Sequence, residues 1–242
     1  MKVTNSFIAF ILFMFISGCA DEGNQTYFTF TFSHTVGSGY LEFSNMKYSN
    51  SAGDNYSIET LKYFVSDFTL HRSDGSEMII DAVHYIDAED NSTLSFIPTE
   101  AIEGGNYSSI SFTMGLSSMK NVNGTFPNPP ENAMEWPIPM GGGYHYMKLE
   151  GKFDSSGIVR NYQAHTGPSM GNSYFINVDL DNSSFTTTGS DVTVNIEMDV
   201  NKWWDIPNTI HLNTVTGIMG DQTMQQKLKE NGSDVFSIIS IK

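Results

Sequence analysis

Residues 27–34 read Tyr-Phe-Thr-Phe-Thr-Phe-Ser-His, which puts Phe28, Phe30 and Phe32 on one side of an extended chain and Thr29 and Thr31 on the other. A period of two marks a strand buried on one face, and it leads straight into His34. A second alternation around residues 62–71 places Leu61, Tyr63 and Val65 on one face and Phe64, Phe68 and Leu70 on the other. Further strands are expected at 78–85, 109–114, 144–153, 174–180, 192–200 and 235–241. Turn signals separate them at Ser73-Asp74-Gly75, Glu103-Gly104-Gly105-Asn106, Asp154-Ser155-Ser156-Gly157 and Thr188-Gly189-Ser190. No helical segments alternate with the strands, so the pattern predicts an all-β protein, an antiparallel β-sandwich with long loops. One short C-terminal helix fits: Asp221 can cap it, Met224 and Leu228 share a face, and Asn231-Gly232 supplies a stop.

The stretch 117–143 breaks the strand pattern. It holds Pro127, Pro129, Pro130, Pro137 and Pro139, five of the chain's eight prolines, and ends in Gly141-Gly142-Gly143. A loop this long within a domain is functional or disordered. Phe126, Met134, Trp136, Ile138 and Met140 argue for order, because such side chains need a surface to pack on.

At the N-terminus, Lys2 precedes an apolar run at residues 7–16 that breaks at Ser17-Gly18. The run is too short to span a bilayer and reads as the core of a secretory signal peptide. The junction Ile16-Ser17-Gly18-Cys19 resembles the lipobox of bacterial lipoproteins. The expected division is a signal peptide at 1–18, a lipidated tether at 19–26 and one β-sandwich domain at 27–242. The expected location is the bacterial cell envelope, lipid-anchored through Cys19, periplasmic or at the outer membrane.

Cys19 is the single cysteine, so with its sulfur on lipid the remaining domain has no thiol and no disulfide. A formal charge of −15 with only 12 Lys and Arg removes the phosphate-neutralising surface that nucleic-acid binding needs. With no thiol, the soft and borderline metal ligands are the six histidines (His34, His71, His84, His145, His165, His211) and the methionines. His34, His145 and His165 sit beside glycines or at strand ends, where a side chain can be aimed into a site, and Met134, Met140 and Met170 lie near them in sequence. Imidazole with thioether suits copper better than calcium or magnesium. No His-x-His pair, Gly-x-Ser-x-Gly elbow or EF-hand loop is present, and no catalytic activity is expected.

The same residues carry a family resemblance. The segments are Phe28-Thr-Phe-Thr-Phe32-Ser-His34-x-Val36-Gly37, Leu61-Lys-Tyr63-Phe-Val-Ser66-Asp-Phe-x-Leu70, Gly105-Asn-Tyr107-Ser-Ser-Ile110-x-Phe112-x-Met-Gly115, and Met134-Glu-Trp136-Pro-Ile-Pro-Met140-Gly-Gly-Gly-Tyr144-His145-Tyr146, followed by His165-x-Gly167. In this order they resemble the MbnP-like copper-binding proteins, and the ending Met224 to Phe236 is similar to Bacteroidetes-type members. The resemblance implies an envelope β-protein holding one copper ion, with His34, His145 and His165 as ligands and Met140 as a further soft ligand. It also implies a di-haem partner of the cytochrome c peroxidase type. That partner would oxidise a tryptophan to kynurenine: Trp136 by position, with Trp203 and Trp204 as alternatives. Trp136-Pro-Ile-Pro departs from the second aromatic that many members carry. The rival expectation is a glycan-binding or adhesive surface lipoprotein without metal.

Overall fold

The computed structural model describes residues 26–242, so the signal segment, Cys19 and all but the last residue of the tether lie outside the described residues. The Phe-Thr-Phe-Thr-Phe alternation is realised as β1 (Phe28–Val36), which runs through His34. The strands after it are β2 (Gly39–Tyr40), β3 (Tyr48–Ser49), β4 (Asn55–Arg72), β5 (Glu77–Asp87), β6 (Ser95–Phe96) and β7 (Gly105–Met114). Then follow β8 (Met147–Ser155), β9 (Ile158–Thr166), β10 (Ile176–Leu180), β11 (Phe185–Thr187), β12 (Val192–Asp199), the helix α1 (Gln222–Asn231) and β13 (Phe236–Ile241).

Two sheets result. The smaller has the order β13-β12-β1-β2, with β6 also on β1; the larger has the order β10-β7-β4-β8-β9, with β11 on β7 and β3 and β5 on β4. The sandwich is all-β, as the alternation implies, and among the described residues its named strands pair antiparallel with one exception. Strands β1 and β12 pair in parallel from Phe28↔Val192 to Thr35↔Asp199. No hairpin sets their relative direction, because the whole larger sheet lies between them in the chain.

The main core fills the space between the sheets. Phe28, Phe30 and Phe32 from β1 and Val194, Ile196 and Met198 from β12 meet Leu61, Tyr63, Phe68, Phe112 and Leu149 of the larger sheet. The Phe30 and Phe68 rings lie 4.2 Å apart. Such aromatic pairs contribute about 0.5–1.5 kcal/mol beyond their buried area.

Strand β4 corrects the expected facing of its side chains. Leu61, Tyr63 and Val65 face the main core as anticipated, but Phe68 and Leu70 join them there. Asp67 has a φ of +54°, and the pairing with β7 shifts register between Ser66 and Thr69, which face Thr113 and Ser111. This β-bulge inserts one residue and inverts the alternation beyond it. Of the expected outer set, Phe64 alone belongs to a different cluster.

Phe64 is the floor of a second, smaller core on the outer face of the larger sheet, shared with Tyr85, Leu116, Met134, Tyr144, Tyr146 and Tyr174. The proline-rich stretch 117–143 supplies its cover. Phe126 stacks on Phe64 at 5.4 Å, and Lys120 pairs with both Asp67 at the bulge and Asp81 of β5. Met134 and Trp136 are buried here, but Ile138 is 75 % exposed, against the expectation that every apolar residue of the loop packs.

Strand β9 was not legible in the sequence. Only Tyr162, Ala164 and Thr166 of its nine residues are buried, because it is the outermost strand of its sheet and half of it faces solvent. Helix α1 matches expectation at its start, where Asp221 accepts from the backbone N–H groups of Thr223 and Met224, both at 3.0 Å.

Candidate functional site

His145 enters the structure at the end of the glycine run. Gly142 and Gly143 have φ values of +70° and +84°, and a Cβ on either would meet the side chain of Asn123 or Asn121. Only glycine allows that approach, and it lets Asn121 accept the Tyr144 N–H at 2.7 Å. The chain is thereby anchored just before it joins β8. The His145 backbone N–H and its Nδ1 both donate to the Met134 carbonyl, at 2.6 and 2.9 Å. A carbonyl can only accept, so the neutral ring carries its proton on Nδ1 and its lone pair on Nε2. That Nε2 is buried and has no hydrogen-bond partner among the described residues. Burial pushes the His145 pKa down to about 3, against the Met134 carbonyl, the next largest influence, which raises it. The imidazole is therefore neutral across the physiological range.

His165 is placed by the hairpin of β8 and β9. Its turn has left-handed backbone at both Ser156 and Gly157, φ +55° and +85°, the arrangement of a two-residue hairpin loop. That turn sets the register, with Lys148 opposite His165 and Glu150 opposite Gln163. Glu150 and His165 are then diagonal neighbours on the outer face, and His165 Nε2 donates to Glu150 Oε1 at 2.6 Å. This hydrogen bond is the main reason the Glu150 carboxyl is held below the usual carboxylate range. With its proton on Nε2, a neutral His165 keeps its lone pair on Nδ1. The His145 and His165 rings are perpendicular, 86° between planes, with centroids 4.9 Å apart.

Trp136 forms one wall. Its ring meets His145 edge to face at 4.7 Å, it is 2 % exposed, and its Nε1–H donates to the Met140 carbonyl at 3.2 Å. Gly167 lies against the indole so closely that a Cβ there would stand 2.5 Å from a ring carbon. Behind it, Gln225 of α1 donates to the His165 carbonyl at 2.8 Å and accepts from the Gly167 N–H at 3.2 Å. The helix thus fixes the backbone on both sides of Thr166.

The structure brings His145, His165 and Trp136 together, and Met140 joins them through its carbonyl. His34 is elsewhere. It lies buried between the two sheets, with Nε2 at 3.0 Å from the Tyr63 hydroxyl. Tyr63 belongs to the main core, whereas His165 projects from the outer face, out of phase with the core-facing Ala164. Burial lowers the His34 pKa to about 4. The other histidines are held singly: His71 by Ser111 and Glu77, His84 by the Thr93 carbonyl, and His211 beside Asp54. Trp203 and Trp204 are fully buried in the main core. Among the described residues, no three of His, Cys, Asp and Glu are grouped so as to hold a metal by themselves.

Sequence reasoning did not find Glu150 or Gln225. The turn Asp154-Ser155-Ser156-Gly157 could have given Glu150, since a two-residue loop at Ser156-Gly157 fixes every cross-strand pair of the hairpin. Nothing local could have given Gln225, which reaches the site across 60 residues.

A family model, MbnP, matches residues 25–224. The chain belongs to the MbnP family. The matched MbnP span takes in His34, Trp136, Met140, His145 and His165 and ends within α1. Among solved structures, MbnP from Methylosinus trichosporium is similar at a TM-score of 0.48 and 14 % identity, over 72 % of this chain and 76 % of that one. Compared with curated proteins, the chain has no match.

Proposed function

We propose that this MbnP-family chain is a copper-binding protein of the cell envelope, and that His145 and His165 hold the ion. The observation that supports this most is the buried Nε2 of His145, a lone pair without a partner on a ring whose other nitrogen is pinned. An unsatisfied buried polar atom costs about 1–3 kcal/mol, and a metal ion would satisfy it. The donor set suits the group. Imidazole is a good copper ligand, and both rings have their tautomer fixed by a second partner, the Met134 carbonyl for His145 and the Glu150 carboxylate for His165. Two protein imidazoles, with no carboxylate grouped with them as a third ligand among the described residues, favour the softer, low-coordinate Cu(I).

In this reading His34 is a core residue, and the chain carries the metal without catalysing a reaction of its own. The proposal includes two features that the sequence suggests. One is tethering to an envelope membrane through lipid on Cys19. The other is a di-haem partner of the cytochrome c peroxidase type that oxidises Trp136 towards kynurenine. Of the three tryptophans, Trp136 is favoured because its ring packs against His145, whereas Trp204 packs against Tyr56 and Tyr162.

The test is copper retained by the purified full chain after gel filtration. Wild type should keep one ion per chain, and His145→Ala and His165→Ala should keep little. Equal retention by all three, or no saturable uptake by wild type, would overturn the reading. Intact mass after co-production with the partner tests the second feature: a mass change in wild type that is absent in Trp136→Phe supports it, and an unchanged wild-type mass sinks it.

A further inference from the structure

Met170 occupies a position that packing does not explain. Its φ is +51°, in a turn of Met170 and Gly171 closed by the pairing of Ser169 with Asn172. Left-handed backbone of this kind costs an ordinary L residue about 1–2 kcal/mol, and glycine or asparagine is usual there. Its side chain is 58 % exposed, so burial does not offset that cost.

What the turn does achieve is a meeting of the Met170 and Met140 backbones next to the indole that packs on His145. The Met170 N–H donates to the Met140 carbonyl at 2.9 Å, which sets the two residues side by side. The same carbonyl accepts from Trp136 Nε1, so one backbone oxygen links both methionines to the indole that walls His145. Ser169 Oγ donates to the Met219 carbonyl at 2.8 Å, bringing a third methionine, itself half-exposed, to the neighbouring loop. Thioethers are neutral, soft and flexible ligands that take Cu(I) or Ag(I) and ignore calcium and magnesium.

We propose that Met140 and Met170, with Met219 in the adjoining loop, form a surface capture site for a soft monovalent cation, which then passes inward to His145. The inward step rests on the copper reading above; the capture site itself does not. It is a ligand exchange, with no change in oxidation state. Neutral thioethers at the surface bind weakly enough to release, and the buried imidazole is the stronger donor. The strongly acidic chain, at −15, raises the local concentration of cations around such a site.

The test uses the full chain with methionine methyl groups labelled with carbon-13, titrated with Ag(I) as a redox-inert stand-in for Cu(I). Leucine variants at single positions assign the signals. The Met140 and Met170 methyl signals should shift together, in wild type and equally in His145→Ala. In Met170→Leu the Met140 shift should be lost, and Cu(I) should load about tenfold more slowly, while the His145 and His165 imidazole signals reach the same end point as in wild type. Methionine signals that stay still in both wild type and His145→Ala would overturn the capture site. Wild-type loading speed in Met170→Leu would overturn its role as an entrance. Shifts that persist while no ion reaches the imidazoles would support the capture site and count against the copper reading alone.

Discussion

The rings of His145 and His165 stand perpendicular with centroids 4.9 Å apart, and each has one nitrogen tied to an oxygen from a different element. The Met134 carbonyl comes from the long loop, and the Glu150 carboxylate from β8. The pair is therefore assembled by a loop folded over a sheet and by the hairpin beneath it.

A ligand that binds the folded chain alone stabilises it, by about 2.7 kcal/mol when free ligand is roughly a hundred times its Kd. Copper at that excess should raise the melting temperature of wild type by several degrees and leave that of His145→Ala nearly unchanged, read by thermal unfolding with and without the ion. Equal shifts in the two would place the ion elsewhere.

Glu150 fixes the tautomer and orientation of His165. Loss of such a partner typically costs roughly 10–100-fold in metal affinity. Glu150→Gln should weaken copper binding within that range in a competition titration, with little change in the melting temperature of the metal-free chain. An unaltered affinity would show that the Glu150–His165 contact has no part in the site.

Gly167 is the place where the backbone meets the Trp136 ring. Gly167→Ala forces a methyl group into the indole, and overpacking of this kind costs about 1–3 kcal/mol. Chemical denaturation should show that loss, together with a change in tryptophan fluorescence. Full stability in the variant would mean that the wall of the site yields easily.

His34 gives the chain a pH dependence separate from the metal. Its folded pKa is about 4 because of burial, against 6.5 for an unperturbed histidine. Between those values the unfolded chain binds the extra proton and the folded chain does not. Stability from this residue is therefore complete above about pH 6.5 and falls as pH drops towards 4, by an amount on the order of 3 kcal/mol. His34→Gln, which can still hydrogen-bond to Tyr63, should flatten the fall in melting temperature over that window. The flattening is partial, since burial also lowers the pKa of His145 and His84. An identical slope in variant and wild type would contradict the assignment.

The division between what sequence reveals and what it conceals follows from the range of the forces involved. The Phe28-Phe30-Phe32 alternation announced its strand because facing depends on neighbouring residues alone, and the Asp221 cap announced its helix for the same reason. The inversion at Asp67 was hidden, because a bulge depends on how the partner strand pairs. Three of the expected ligand positions shared the mark of a histidine beside glycine or at a strand end. That mark cannot distinguish the inner face of β1 from the outer face of β9, so His34 was grouped with two residues on the far side of a sheet. Trp136 and His145 fall within one motif, and their contact was the most legible part of the site. Glu150 and Gln225 became visible only through strand register and helix docking.

The most direct test of the account is imidazole NMR of the full chain during titration with Cu(I). The signals of His145 and His165 should move together and saturate at one ion per chain, while those of His34, His71, His84 and His211 stay in place. Saturation with His145 unmoved, or with His34 moving in its stead, would contradict it.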